Sequence, residues 1–113
     1  MSDFASTIVQ EMLASGARNT SGVTSGFNFE DGMELIVFAE VTAASGTTPT
    51  LDLAIQVSHD NTNWSALSSF TQITGTGNSI NAATNYGKYV RISYTIAGAS
   101  ASFTFKLTAV RKY

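Results

Sequence analysis

From residue 33 onward the apolar residues recur at every second position, the spacing of strands whose two faces differ. Met33, Leu35, Val37, Ala39 and Val41 share one face of a first strand, and Glu34, Ile36, Phe38 and Glu40 share the other. The middle of that second face is apolar too, so this strand is expected to be central in its sheet or covered by a partner. Residues 43–49 hold Ser45-Gly46 and the one proline, Pro49, and predict a loop. Leu51, Leu53, Ile55 and Val57 then alternate with Asp52, Ala54, Gln56 and Ser58, a half-buried strand. His59 to Asn63 is a turn, because Asp and Asn bond their own backbone and tolerate left-handed geometry.

Trp64 follows that turn directly, and Leu67 to Ile73 predicts another strand. A second turn at 74–78 leads to a short strand around Ile80. Val90, Ile92, Tyr94 and Ile96 alternate with polar residues, Gly98 breaks the pattern, and Phe103, Phe105, Leu107 and Ala109 complete it. Leu53 and Phe105 are expected deep in the core. Seven or eight short strands, with no helical span among them, predict an all-β fold. The expected architecture is a single two-layer antiparallel sandwich, jelly-roll or immunoglobulin-like.

The first 14 residues follow a different rhythm. Phe4, Ile8 and Met12 recur every four residues, as do Ala5, Val9 and Leu13. That is helical spacing, with Ser2 or Asp3 to cap its start and Gly16 to end it. The β-branched Thr7, Ile8 and Val9 argue for an extended form instead. Residues 1–14 are therefore expected to be an arm, helical or extended, docking its apolar side on its own domain or on a neighbour. Residues 15–113 form the sandwich.

Charge changes this picture in two ways. Charged residues are 12% of the chain, about half the ~25% usual for soluble domains, so the surface is polar but weakly charged. The charges are also divided. Residues 1–60 hold all eight acids and one base, Arg18, for a net −7; residues 61–113 hold five bases and no acid, for +5. Either the two halves pair across strands within one sandwich, or they form opposed faces that meet between subunits. The net charge of −2, with no basic cluster larger than Arg111-Lys112, speaks against nucleic acid as a partner. No apolar run approaches the ~20 residues of a membrane span, and the N-terminus lacks a signal-peptide pattern.

Candidate chemistry is sparse. The single histidine, His59, sits in a turn beside Asp60 with no nucleophile elbow, so no catalytic residue is expected. One histidine and no cysteine cannot assemble a soft-metal site. Asp60, Asn61 and Asn63 lack the spacing of a calcium loop and predict an Asx turn. Gly75, Gly77 and Gly98 lie between strands, leaving no helix N-terminus for a phosphate. No metal or cofactor is therefore expected. Trp64, Tyr86 and Tyr89 lie near turns, where sugar-binding sandwiches place stacking rings, but a Trp directly after a hairpin turn is usually a packed residue closing the sandwich edge, and packing is the expectation here.

The turn Val57-Ser58-His59-Asp60-Asn61-Thr62-Asn63-Trp64 resembles the S-x-D-G-x-x-W hairpin of small virion proteins of tailed bacteriophages, with Asn61 in place of the glycine. Residues 14–22 (ASGARNTSG), 41–52 (VTAASGTTPTLD), 87–98 (GKYVRISYTIAG) and 102–105 (SFTF) resemble the same group, over roughly residues 12–110. The resemblance implies a structural protein of the particle, made in the host cytoplasm and built into the virion. A head decoration (cement) protein is the first expectation; a tail or baseplate component, or a carbohydrate-binding host-attachment module, is the alternative. It implies no catalytic residue. The expected partners are the major capsid protein or other virion proteins, and further copies of the chain, with a trimer as one form. The expected partner interface draws on Phe4, Ile8 and Met12 of the arm and on Glu34, Glu40, Arg91 and Lys106 of the divided charge.

Overall fold

A computed structural model describes residues 8–29, 34–84 and 88–112, and these form strands and turns with no helix. The strands are β1 (Ile8–Arg18), β2 (Gly22–Val23), β3 (Phe27–Asn28), β4 (Glu34–Ser58), β5 (Ser65–Ser69), β6 (Gly77–Thr84) and β7 (Tyr89–Lys112). All pairings between them are antiparallel.

Two long strands carry the architecture. β4 has 25 residues and β7 has 24, and they pair from Glu34↔Lys112 to Ser58↔Tyr89. A straight strand of that length would reach ~80 Å at ~3.3 Å per residue. The longest dimension of the molecule is 50 Å, so the ribbon is folded over. It bends where the register shifts, between Val41 and Thr50 on β4. Gly46 (φ 113°), Thr48 (φ 44°), Gly98 (φ 115°) and Ser100 (φ 53°) turn the chain there. A Cβ on Gly46 would lie 2.7 Å from Ala101 Cα, and one on Gly98 would lie 2.9 Å from the Thr48 carbonyl oxygen. Backbone approaches backbone too closely at both places for any other residue.

The bend divides the ribbon into two sheets. In the first, residues 34–45 pair with 102–112, flanked by β1 on the β7 side and β6 on the β4 side. In the second, residues 50–58 pair with 89–97, flanked by β2 and β3 on one side and β5 on the other. An antiparallel ribbon folded in this way is a jelly-roll, one of the two expected sandwiches. The loop expected at 43–49 and the break at Gly98 are this bend, and strands expected to be separate run through it.

The alternation sends Leu35, Val37, Ala39, Phe103, Phe105 and Leu107 inward from the first sheet and Leu51, Leu53, Ile55, Val90 and Ile92 inward from the second. They form one core cluster, with Phe105 fully buried and Leu53 1% exposed, as their spacing predicts. Tyr94 of the second sheet meets the Phe105 ring of the first edge-on at 5.5 Å, tying the layers together.

Of the two forms left open for the arm, its described part takes the extended one. Phe4 lies outside the described residues, but 8–14 are extended and belong to β1, hydrogen-bonded to β7. A strand bulge turns two residues adjacent in sequence toward the core. Register shifts on either side of Leu13 place Met12 in the core and Leu13 against it, side by side in sequence. At the edge of the second sheet, hydroxyls supplement the short β2 and β3. Ile92 N–H donates to Thr24 Oγ1 (3.0 Å), and Ile96 N–H donates to Ser21 Oγ (2.9 Å).

Candidate interaction surface

The inward set of the first sheet leaves an outward one. Two register rows cross all four of its strands: Val9, Val110, Ile36 and Ala82, then Glu11, Thr108, Phe38 and Ile80. Val9 is 66% exposed, Ile80 64% and Phe38 38%. This is an apolar strip on an outer face, where sandwiches ordinarily turn polar residues to water. Charge borders it at both ends. The row Lys106, Glu40 and Asn78 lies on one side, and Glu34 on the other. Phe38, Glu40, Asn78, Lys106 and Thr108 line a shallow depression at the first border.

The candidate interface residues separate accordingly. Glu34, Glu40 and Lys106 stand together on this face. Ile8 opens β1 opposite Arg111. Met12 is 5% exposed and belongs to the chain's own core, so it offers nothing to a partner. Arg91 is on the other sheet, where its Nε donates to Gln56 Oε1 (2.7 Å) and its guanidinium lies over the Trp64 ring, 4.3 Å from the centroid. It shares no face with Lys106. Val9, Ile80 and Val110 were not among the expected residues. The apolar pair Ile36 and Phe38 between two glutamates was the available signal, but the neighbours that extend it are set by register.

The fold also accounts for the divided charge. A folded ribbon pairs the start of the chain with its end. Glu40 therefore faces Lys106 across the ladder, and Lys106 Nζ lies 3.7 Å from Glu11 Oε2. Between Glu11 and Lys106 the two halves pair across strands within one sandwich.

The turn after β4 closes on itself. Ser58 Oγ accepts from the amides of Asp60 (3.1 Å) and Asn61 (2.9 Å) and donates to Asp60 Oδ1 (2.9 Å). Asp60 Oδ1 also accepts from the amides of Thr62 (3.0 Å) and Asn63 (2.8 Å), and Oδ2 from Asn63 Nδ2 (2.7 Å). These bonds, led by the Asn63 and Thr62 amides, hold the Asp60 carboxyl well below the usual carboxylate range. The carboxylate is an Asx-turn anchor. His59 is 83% exposed with Nε2 3.6 Å from Asp60 Oδ2. Asn61 sits at φ 63°, the left-handed geometry that a glycine would adopt freely. Among the described residues, no cluster of three His, Cys, Asp or Glu side chains could hold a metal. No helix among them is long and apolar enough to cross a membrane.

Neither a protein-family model nor a curated protein sequence matches the chain. Solved structures do match its fold. The PBSX exported protein XepA superposes with a TM-score of 0.70 at 13% identity, over 93% of this chain and 37% of that one. The chain thus spans little more than a third of XepA. A pilus protein of Bacillus endospore appendages matches with a TM-score of 0.59 at 11% identity, over 94% of this chain and 87% of that one. Murine APRIL matches with a TM-score of 0.58 at 11% identity, over 96% and 100%. At such identities the likeness is one of fold.

Proposed function

We propose that the protein is a structural component of a tailed-phage particle, a capsid decoration protein that binds the outer head shell and stiffens it. The observation that carries this reading is the apolar strip on the outer face of the first sheet, a surface that needs a protein to cover it. The sequence stretches that resemble small virion proteins point the same way. The fold likeness to a pilus protein and to the PBSX exported protein fits a domain built for assembly, though it extends to other uses of the sandwich. The reading assigns no chemistry to the protein. Its role is to add contacts between subunits of a shell, and many weak contacts suffice when they act together.

A sugar-binding host-attachment module is less well supported. Arg91 occupies a face of the Trp64 ring, and a Cβ on Gly26 would lie 3.0 Å from the ring's edge, so the indole is packed. The test uses heads of the encoding phage assembled without this protein. Purified protein added to them should co-sediment at a fixed saturating ratio and raise the temperature at which the shells come apart. Binding to tails but not heads would move the protein to the tail, and binding to neither would refute the virion reading.

A further inference from the structure

We propose that two copies of the chain pack outer face to outer face through the strip of the first sheet. The axis relating them is a twofold that runs along the strands, between β4 and β7. The inference deepens the assembly reading above by naming one contact of that assembly, and it is measured without any particle.

The choice of occupant rests on charge. On this face β4 contributes Glu40 and β7 contributes Lys106, side by side at the same level of the ladder. A twofold between the two strands lays each β4 over the partner copy's β7. Glu40 of one copy then meets Lys106 of the other, twice by symmetry. The same operation sets Ile36 over Val110 and Phe38 over Thr108. Val9 meets Ala82, and Ile80, in the outermost column, falls at the level of the partner copy's Glu11. Acid falls on base at Glu40 and Lys106, and apolar on apolar along the whole row from Val9 to Ala82, the self-complementarity that an interface between identical surfaces requires. A strongly charged partner would find no matching field here, because this face carries both signs.

Size is adequate as well. Four strands at ~4.8 Å and about ten residues at ~3.3 Å give roughly 600–700 Å² of face per copy, near the ~800 Å² per partner of an ordinary stable interface. The exposure of Val9 and Ile80, at the two outer columns, means the apolar strip runs the full width of the sheet.

The experiment is sedimentation equilibrium of the purified full chain, with circular dichroism as a check on folding. The wild type should be a dimer at micromolar concentrations. Ile80→Glu, which would set like charge against the partner copy's Glu11, and Val9→Arg change exposed side chains, so both variants should fold and should weaken the dimer by about 100-fold or more, since each substitution enters the interface twice. Glu40→Lys alone should weaken it too, and Glu40→Lys combined with Lys106→Glu should restore it, because the exchange preserves acid against base. A monomeric wild type would overturn the proposal, as would a dimer indifferent to both Ile80→Glu and Val9→Arg. A trimer lost with the same variants would overturn the twofold.

Discussion

Glu40 on β4 and Lys106 on β7 stand directly opposite each other, although one comes from the acidic half of the chain and the other from the basic half. Lys106 also pairs with Glu11 on β1 (3.7 Å), so its ammonium has one carboxylate as partner and a second as cross-strand neighbour. Exposed pairs of this kind are worth ~0–1 kcal/mol each. Lys106→Glu would replace attraction by repulsion at both, and we expect it to destabilise the fold by about 1–2 kcal/mol at low salt. The loss should shrink as salt approaches ~1 M, where screening acts over ~3 Å. Urea unfolding at several salt concentrations checks this, and a salt-independent loss would mean that packing of the lysine stem matters more than its charge.

Gly98 makes the ribbon bend possible. Its φ of 115° and the 2.9 Å approach that a Cβ would make to the Thr48 carbonyl leave no relaxed conformation for a larger residue. Gly98→Ala should cost about 1–3 kcal/mol, lowering Tm by roughly 4–12 °C. Gly75→Ala is the control, because a Cβ there meets nothing within 4 Å. Thermal melts of the two variants should differ clearly, and equal melting temperatures would show that the bend relaxes.

How far the sequence reveals this molecule depends on the range over which each signal acts. The inward set from Leu35 to Leu107 is legible because alternation is local and each strand carries its own pattern. The turn at 58–63 is legible for the same reason, since Asp60 finds its partners within three residues. The continuity of β4 through Ala43–Thr50 is not, because a sharp bend and a loop share the residues Ser, Gly, Thr and Pro. β1 is partly legible: its β-branched residues point to a strand, while Met12 and Leu13, both turned inward by the bulge, leave a helical spacing open as well. The strip is half legible: Ile36 and Phe38 are conspicuous between glutamates, whereas Val9 and Ile80 join them only through pairings with partners about 100 and 40 residues away along the chain. Arg91 and Lys106 look equivalent by charge, and only the fold puts them on different sheets.

The Asp60 turn predicts a pH dependence. Its carboxyl is held below the ordinary carboxylate range by amide donors, so the folded state favours the ionised form. A depressed folded pKa gives stability that is complete above the unfolded value of ~3.9. That stability is lost as pH falls from there toward the folded value. Asp60→Asn, lacking the charge, should be less stable than wild type at pH 7, and the gap should narrow steadily below about pH 4. Unfolding free energies of both proteins between pH 7 and pH 2 check this. A gap unchanged at pH 2 would mean that the charge is irrelevant and hydrogen-bond geometry alone fixes the turn. Within the same turn, Asn61→Gly should be tolerated, whereas Asn61→Val should cost about 1–2 kcal/mol, because a β-branched residue resists positive φ.

Arg18, the one base of the acidic half, clamps the bulged end of β1. The register slips between Leu13 and Gly16, leaving Ala14 and Ser15 out of step with β7. The guanidinium spans that gap. Nη1 donates to the carbonyls of Gly16 (3.0 Å) and Phe105 (3.3 Å), and Nη2 donates to that of Ala14 (3.0 Å). Its carbon also lies over the Phe105 ring, 5.1 Å from the centroid. A planar fork can serve several carbonyls at once, whereas a lysine offers a single ammonium on a flexible stem. Charge-assisted hydrogen bonds are worth about 1.5–3 kcal/mol each when well made, but this group is only partly buried, which reduces the total. We therefore expect Arg18→Ala to cost about 2–3 kcal/mol, and Arg18→Lys to recover less than half of it. Because the clamp joins β1 to β7 without touching the second sheet, hydrogen exchange should quicken first at the amides of Leu13 to Ala17. Amides of Leu53 and Ile92 should stay protected until the whole domain opens. Uniform loss of protection in Arg18→Ala would show instead that β1 and the core unfold as one unit.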